Sequence, residues 1–378
     1  MSTPSFEQGP IRPPSEAHSL LVRVTRNCAW NRCTFCPVYK GAEFSLRKPD
    51  EIMVDVEAMA EAAAVIAERG ATEAVAAGLV PPEAFQVALF LRDDARTVFL
   101  QDADPCALKS ERLADVIVRV RERFPSVQRV TTYGRAATLA RRSAEQLRLV
   151  ADAGLTRVHV GMESGADEVL EAVCKGCTSA QLLEAGRHVL EAGMELCYYF
   201  MPGLGGRARQ PARAHVRESA RVVRSGAAYA ATERRFTVRL RTAAVVPGSP
   251  LADQARDGSF SLPDDVEVAR EIREFIELLG DARLRLVSDH ALNLLPEVDG
   301  LLPGDRARLV GYLDEFLGMD RIERARFALG RRLGIFYSLE ARHEPARQQM
   351  LRDALPTGRL LGEREMLDTA TVLRSRFL

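Results

Sequence analysis

The sequence predicts an α/β fold in which helices cover a parallel sheet, and three observations support this. Short β-type runs alternate with helical patterns from residue 19 to about residue 242. Every connection is long enough for a crossover between parallel strands, and several helical patterns carry start signals. Periodicity leaves open whether the sheet is doubly wound or a barrel, but in both folds ligands bind where the strands end.

The strand and helix candidates follow one another along this region. Asp50 is placed to cap a helix that runs to Gly70, and two segments have the capping-box spacing, in which a side chain satisfies an otherwise unpaired backbone N–H. The two capping boxes are Ser143 with Gln146 and Thr178 with Gln181, and the strand candidates are residues 20–25, 97–101, 129–133, 157–160, 197–201 and 237–240.

The two ends of the chain depart from the alternating pattern. Residues 1–18 are rich in proline and predict a flexible or draped arm. From about residue 262 the sequence reads as helices, at residues 263–279, 303–317, 320–333 and 344–354, with little strand signal. We therefore expect an arm at residues 1–18, a core at residues 19–261 and a helical C-terminal region at residues 262–378.

Composition and charge narrow the class of protein. Lys+Arg and Asp+Glu both total 52, so the net charge is zero and gives no general attraction to nucleic acid or to an anionic membrane. The N-terminus lacks the apolar core of a signal peptide, and no apolar run approaches the roughly 20 residues of a membrane span. Seven cysteines, an odd number in tight local groups, indicate reduced thiols. We expect a cytoplasmic protein without a nucleic-acid partner.

Three of the cysteines, Cys28, Cys33 and Cys36, lie within nine residues just after the first strand candidate. A structural zinc site normally takes four protein ligands, and the nearest histidine in sequence is His18. Three thiolates and an open position favour a [4Fe–4S] cluster in which one iron can bind a cofactor or substrate. The alternatives are three reduced structural cysteines, or a zinc ion completed by a distant fourth ligand.

Polar or glycine-rich segments follow the other strands. These segments also have explanations that involve no ligand. Two acids after the second strand can form an acidic turn, an arginine after the third can be solvated, and an acid after the fourth can interact with a helix N-terminus. Glycine allows a close approach of backbone to a ligand. The residues concerned are Asp102, Asp104, Arg135, Glu163, Ser164, Lys175 and Gly203.

Two stretches carry a resemblance to a known family. Residues 161–165 read Gly-Met-Glu-Ser-Gly and are followed by Leu170 and Lys175-Gly176, and the cysteine triplet has Phe35 before its last member. Together they resemble the radical S-adenosylmethionine (SAM) superfamily over about residues 20–251. The subgroup is the one related to elongator-type, methylthiotransferase and oxygen-independent coproporphyrinogen oxidase proteins. The first gap of the cysteine motif, between Cys28 and Cys33, is one residue longer than usual: this chain has C-x4-C-x2-C, whereas C-x3-C-x2-C is usual in the superfamily.

The resemblance implies a partial (β/α)6 TIM-like barrel with a helical C-terminal region, and it implies roles for the residues. Cys28, Cys33 and Cys36 would hold a [4Fe–4S] cluster whose open iron chelates SAM. Glu163 would bind the SAM ribose with Ser164 nearby, and Lys175 would meet the SAM carboxylate. Asp104, with Asp102 as its neighbour, would bind the SAM amino group. Phe35, Arg135 and Gly203 complete the expected cofactor-binding set.

The implied activity is reductive cleavage of SAM to a 5′-deoxyadenosyl radical that abstracts hydrogen from an unidentified small-molecule, lipid or peptide substrate. An electron donor such as flavodoxin or ferredoxin would reduce the cluster. The alternative is a non-catalytic zinc or iron–sulfur module that binds a macromolecular partner such as RNA, and metal content would separate the two.

Two further features have no assigned role. Cys174 and Cys177 form a C-x2-C pair, which is a redox pair, part of a second cluster with Cys106 and Cys197, or a coincidence of small residues. In the C-terminal region, Asp289 and His290 are either substrate contacts or capping and packing residues.

Overall fold

The computed structural model describes residues 5–355 and 362–374 of the chain. The chain divides into two compact units. The first contains the chain through Asn31, Val38–Gly161 and Glu184–Cys197, and the second contains Arg32–Pro37, Met162–Leu183 and the chain from Tyr198 onward. The predicted boundaries of the arm, core and C-terminal region remain predictions.

The strands of the described residues number ten and are short. They are β1 (Leu20–Arg23), β2 (Thr25–Arg26), β3 (Ser45–Leu46), β4 (Thr97–Gln101), β5 (Arg129–Tyr133), β6 (Leu155–Glu163), β7 (Glu195–Phe200), β8 (Phe236–Leu240), β9 (Leu284–Val287) and β10 (Gly300–Leu302). Eight of them form one sheet in the order β1-β4-β5-β6-β7-β8-β9-β10, while β2 and β3 form a separate antiparallel ribbon.

The sheet confirms the predicted α/β class. Neighbours β1 and β4, β4 and β5, β5 and β6, and β8 and β9 are parallel. The predicted strands appear in sequential order from β1 to β8, which is the order of a partial β/α barrel. The sequence does not predict β9 and β10, which have four and three residues and lie in a region dominated by helical patterns. β10 pairs antiparallel to β9 at the edge of the sheet.

Helices connect the strands and fill the C-terminal region. None of the described helices is both long enough and apolar enough to cross a bilayer. They are α1 (Pro49–Arg69), α2 (Ala71–Ala76), α3 (Phe85–Arg92), α4 (Ser110–Arg123), α5 (Ala136–Leu139), α6 (Ala144–Asp152), α7 (Asp167–Ala172), α8 (Ser179–Glu191), α9 (Arg209–Ala227), α10 (Pro250–Asp257), α11 (Asp265–Leu278), α12 (Arg306–Gly318), α13 (Arg321–Arg332), α14 (Pro345–Ala354) and α15 (Glu363–Arg374).

The first helix shows which start and stop signals hold. It ends, as predicted, at Gly70, whose φ of 82° is one that L side chains rarely adopt and whose N–H donates to Ile66 O at 2.8 Å. The prediction that Asp50 caps the helix is wrong. Pro49 starts the helix two residues earlier than a cap at Asp50 would, with Lys48 at the cap position. Asp50 therefore lies in the first turn, where its charge still favours the helix dipole.

Both predicted capping boxes are confirmed. At α6, Gln146 N donates to Ser143 Oγ at 3.2 Å and Ser143 N donates to Gln146 Oε1 at 3.1 Å. At α8 the reciprocal bonds join Thr178 and Gln181 at 3.3 and 3.1 Å. These signals succeed because donor and acceptor are only three residues apart, so their contact depends on local geometry alone.

A buried carboxylate fixes the N-terminal segment within the first unit. The Glu16 side chain is fully buried and accepts hydrogen bonds from Arg129 Nη2 at 2.8 Å and from Ser19 Oγ at 2.8 Å. His159 Nε2 lies 3.5 Å from Glu16 Oε1. Burial alone would raise the pKa of Glu16, but the contacts with His159 and Arg129 outweigh it and hold that pKa well below the ordinary value.

In the second unit, the turn after β6 lies directly against α9. Gly165 N donates to Ser219 Oγ at 2.8 Å, and a Cβ built on Gly165 would lie 2.3 Å from Glu218 O. A methyl group cannot fit at this distance without moving backbone. The glycine that closes the Gly-Met-Glu-Ser-Gly stretch is therefore required by packing between this turn and a helix.

A buried charge cluster joins three helices of the second unit. The Asp265 carboxylate at the start of α11 accepts from Arg332 Nη2 at 2.6 Å and from Arg374 Nη1 at 3.2 Å, and all three side chains are at most 2% exposed. Burial opposes ionisation of Asp265, but the two guanidinium groups lower its pKa. α13 and α15 are thus fixed to α11 by side chains that have no access to water.

Replacing Glu16 with Gln should lower the free energy of unfolding by about 1.5–3 kcal/mol, the range for hydrogen bonds to charged groups. Because the folded pKa is depressed, the stabilisation is complete above the ordinary carboxyl pKa of about 4.5 and is lost as the pH falls below it. Urea unfolding at pH 7 and at pH 4 measures both effects. An unchanged difference between variant and wild type at the two pH values would contradict this assignment.

Replacing Gly165 with Ala should destabilise the chain by at least about 2 kcal/mol, because the new methyl group meets the backbone of α9. Gly311 in α12 is a matched control, since a Cβ there meets nothing within 4 Å. The Gly311→Ala variant should be equal to or more stable than wild type by up to about 1 kcal/mol. Thermal unfolding of both variants tests the difference, and equal stability would show that the turn can move away from α9.

Candidate functional site

The three motif cysteines lie in the segment between β2 and β3. Cys28 belongs to the first unit, whereas Cys33 and Cys36 belong to the second. All three are half-buried and none forms a disulfide. Three thiols on one short segment, all reachable from solvent, are the donor set that a [4Fe–4S] cluster with three protein ligands requires.

The longer first gap of the motif contains Asn31, which has a defined structure in the first unit. Asn31 has φ 47°, a left-handed conformation that asparagine tolerates better than most residues. Its amide Nδ2 donates to Tyr39 O and Ala42 O, and its N–H donates to Cys28 Sγ at 3.4 Å. The guanidinium carbon of Arg135 lies over the Trp30 ring, 5.3 Å from the ring centre. The longer gap is thus a folded part of the loop.

The other part of the cysteine loop is anchored within the second unit through its backbone. Thr34 N donates to Val173 O at 3.0 Å, and Leu251 N donates to Thr34 O at 2.9 Å. Cys36 N donates to Cys33 O at 3.4 Å, which closes a turn between the two cysteines. The loop is therefore fixed both to the segment after α7 and to the start of α10.

Asp102, which follows β4, is fully buried and used within the first unit. Its Oδ2 accepts from Arg23 Nη2 at 2.9 Å and from Asn27 N at 3.2 Å, and its Oδ1 accepts from the Tyr39 hydroxyl. Burial and the Asp102 carboxylate raise the pKa of Tyr39, which keeps the phenol a donor. Asp102 therefore holds the backbone immediately before Cys28.

Asp104 is also buried and has partners on both oxygens. Oδ1 accepts from Arg135 N at 3.1 Å and Oδ2 accepts from Thr138 Oγ1 at 2.6 Å. Burial raises the pKa of Asp104, although these hydrogen bonds partly oppose the shift. Arg135 thus contributes its backbone to Asp104 and its guanidinium to the contact with Trp30.

The second unit brings together three of the predicted residues, Glu163, Lys175 and Phe35. Glu163 ends β6 with φ 60°, and its Oε1 accepts from Lys175 Nζ at 2.8 Å. Lys175 Nζ also lies 5.7 Å from the centre of the Phe35 ring. The other oxygen of Glu163, Oε2, is buried and has no hydrogen-bond partner among the residues that the structure describes. A buried acceptor without a donor is rare and fits a ligand that supplies hydroxyl groups.

Lys175 is held in its charged form. Burial alone would lower its pKa, but the Glu163 carboxylate and the thiol groups of Cys33 and Cys177 raise it above the ordinary value. This cation therefore connects the acid at the end of β6 with the cysteine loop.

Ser164 has a structural role in this region. Its Oγ accepts from Ala166 N at 3.0 Å and lies 2.8 Å from His215 Nδ1. His215 Nε2 faces two acceptors, Met201 O at 3.1 Å and Glu271 Oε1 at 3.3 Å, so we infer that Nε2 carries the proton and that Nδ1 accepts from the Ser164 hydroxyl. His215 thus holds the turn after β6.

Gly203 belongs to the same network. It has φ 88°, where a side chain would be strained, and its N–H donates to Glu271 Oε1 at 2.8 Å. Tyr39, His215 and Glu271 are functional neighbours that the sequence analysis misses. Only Tyr39, three residues after the last motif cysteine, carries a local signal, since His215 and Glu271 lie on helices remote in sequence from their partners.

Among residues 5–355 and 362–374, no three Cys, His, Asp or Glu side chains are grouped closely enough to hold a metal ion. The donor chemistry nevertheless fits the expected groups in two respects. Three thiols free of disulfides suit an iron–sulfur cluster, and the buried Glu163 Oε2 suits a ligand with hydroxyl donors.

Solved structures of similar architecture are distant. The archaeal Methanocaldococcus infernus Elp3 is 14% identical with a TM-score of 0.40, covering 55% of this chain and 50% of that chain. The cobalamin-dependent radical enzyme OxsB with aqua-cobalamin and S-adenosylmethionine bound is 13% identical with a TM-score of 0.46, covering 94% and 53%. The radical S-adenosylmethionine methyltransferase TsrM from Kitasatospora setae is 15% identical with a TM-score of 0.45, covering 93% and 66%.

This chain thus spans about half the length of the first two of these proteins. At these identities and TM-scores they say nothing of its reaction or substrate. No curated protein matches the chain. A family model does: that of the radical SAM superfamily matches residues 22–218, more than half of the 378 residues. Members of this superfamily are enzymes that use a [4Fe–4S] cluster and SAM, and the chain belongs to it.

Proposed function

We propose that Cys28, Cys33 and Cys36 ligate the [4Fe–4S] cluster of this enzyme and that the enzyme cleaves SAM to initiate hydrogen abstraction from a substrate still to be identified. When bound, the cluster supplies the electron that splits SAM into methionine and a 5′-deoxyadenosyl radical. Family membership and the three reachable thiols support the proposal. Family membership also favours an enzyme over a non-catalytic zinc or iron–sulfur module. A cytoplasmic location and a flavodoxin-like or ferredoxin-like donor remain predictions.

The observation that carries the proposal is the unpaired Glu163 Oε2 beside a cationic lysine. Buried at the carboxyl end of β6, this oxygen can accept a hydrogen bond from a ribose hydroxyl without breaking its pair with Lys175. The Lys175 ammonium has further donors, which can meet the carboxylate of SAM. Phe35 covers the same ammonium and limits its access to water.

The acids of the first unit have different roles in this proposal. Asp102 positions the cysteine loop, since it binds the N–H that precedes Cys28 and the hydroxyl of Tyr39. Asp104 stays the proposed partner of the SAM amino group, with Arg135 held next to it by a backbone hydrogen bond. Ser164 and Gly203 shape the turns around Glu163 through His215 and Glu271.

Replacing Cys33 with Ala should abolish formation of 5′-deoxyadenosine from SAM and dithionite in anaerobically reconstituted protein, because the cluster loses a ligand. Cys106, a buried cysteine outside the motif, is the matched control, and its Ala variant should retain activity. Mass spectrometry of the nucleoside product is the measurement. Wild-type rates in the Cys33→Ala variant would disprove the ligand assignment.

Replacing Glu163 with Gln should weaken SAM binding by at least about tenfold, since a charged acceptor contributes about 1.4 kcal/mol more than a neutral one. The exposed Glu168 on α7 is the control, and its Gln variant should bind SAM like wild type. Equilibrium binding to cluster-loaded protein without reductant gives the affinities, and iron and sulfide content should match in all three proteins. Equal affinities would remove Glu163 from the SAM site.

A further inference from the structure

A short segment of the second unit, residues 288–293, is rigidly attached where β8 and β9 end. Ser288 Oγ donates to Leu295 O at 2.8 Å. Asn293 Oδ1 accepts from Thr242 N at 3.0 Å, and its Nδ2 donates to Leu240 O at 2.9 Å. Ser288 and Asn293 are 1% and 6% exposed, so these hydrogen bonds form away from water. The two ends of the segment are therefore fixed, and the residues between them are held in place.

Between these anchors, Asp289 and His290 lie beside two arginines. Arg239 is in β8, and Arg241 directly follows that strand. Arg239, 4% exposed, donates from Nη1 to Asp289 Oδ2 at 2.7 Å. Leu292 N donates to His290 Nδ1 at 3.2 Å, so the ring proton of neutral His290 resides on Nε2. Burial and the charges of Arg241 and Arg239 lower the pKa of His290 to about 4, so the ring is neutral at pH 7.

Arg241 supplies a charge that the described residues do not balance. It directly follows β8, is half-buried, and is fixed through its backbone, whose N–H donates to Phe200 O at 2.9 Å. Across residues 5–355 and 362–374 its guanidinium has neither an ion pair nor a hydrogen-bond partner. The charge of Arg239 is neutralised by its ion pair with Asp289, and His290 is neutral. Arg239, Arg241, Asp289 and His290 together therefore carry one excess positive charge. A half-buried guanidinium is permanently charged and favours a planar, bidentate anion.

We propose that Arg241, with Arg239 and His290 Nε2, forms a subsite that binds a carboxylate or phosphate group of the substrate. The proposal rests on the proposed function, because a hydrogen-abstracting enzyme must hold its substrate at the ends of the strands. β8 and β9 are parallel and Arg239 lies opposite Val287, so the residues that follow the two strands emerge side by side. Ligands bind at such carboxyl ends in parallel α/β folds. The substrate is thus an organic acid, a phosphorylated compound or a peptide with a free carboxylate.

The experiment uses the His290 ring as its reporter. The full chain, labelled at histidine Cε1, is titrated with inorganic phosphate and separately with succinate, and the resonance is assigned with the His290→Gln variant among the six histidines. We expect a saturable shift of the His290 resonance with at least one of the anions. A shift with phosphate identifies a phosphate site, and a shift with succinate identifies a carboxylate site. In the Arg241→Gln variant the affinity should fall at least about tenfold. The Arg241→Lys variant, which keeps the charge, should lie between the two.

Arg326 is a matched control, an exposed arginine of α13 whose Gln variant should bind both anions like wild type. Titrations are made with and without the cluster, so the result does not depend on SAM cleavage and a failure here is distinct from a failure of the proposed function. Saturating SAM should leave the anion-induced shift in place. Absence of a shift with both anions, equal affinities in Arg241→Gln and wild type, or loss of the shift on adding SAM would each overturn the substrate subsite.

Discussion

The ion pair between Glu163 and Lys175 is the interaction on which the candidate site depends. The Glu163 side chain is 8% exposed and that of Lys175 is 17% exposed, and a largely buried pair is tolerated only when geometry and further partners compensate for lost hydration. Here Lys175 gains from the thiols of Cys33 and Cys177 as well as from the acid. Glu163, by contrast, keeps one oxygen without a donor. Glu163 thus keeps a free acceptor beside a lysine that still has N–H donors to offer a ligand.

Much of the fold could be predicted from the sequence because its signals are local. Strand runs of four to six residues, capping boxes and the glycine after α1 depend on residues close in sequence. Asp50 failed as a cap because Pro49 already determines the start of the helix. The short strands β9 and β10 escape prediction because they lie among helical patterns and form by pairing at the edge that β8 provides.

The candidate site was predictable in its residue types and less so in its connections. Glu163, Lys175 and Phe35 lie together in the structure. The sequence singles out all three, because the Gly-Met-Glu-Ser-Gly stretch and the cysteine motif are both recognisable sequence motifs. Nothing in the sequence reveals that the Ser164 hydroxyl is hydrogen-bonded to His215, since the two residues are 51 positions apart. Nor does it show that the oxygens of Asp102 bind the cysteine loop and Tyr39. Such contacts arise only from the tertiary arrangement.

The folded insertion at Asn31 has a consequence for how the family is delimited. The longer gap contains Asn31 in a left-handed conformation, and its amide donates hydrogen bonds to Tyr39 O and Ala42 O. A motif definition that fixes the first gap at three residues would exclude this chain and any other that takes up an additional residue in the same way. Membership is better defined by the Gly-Met-Glu-Ser-Gly stretch at the end of β6, taken together with the cysteines, than by cysteine spacing alone.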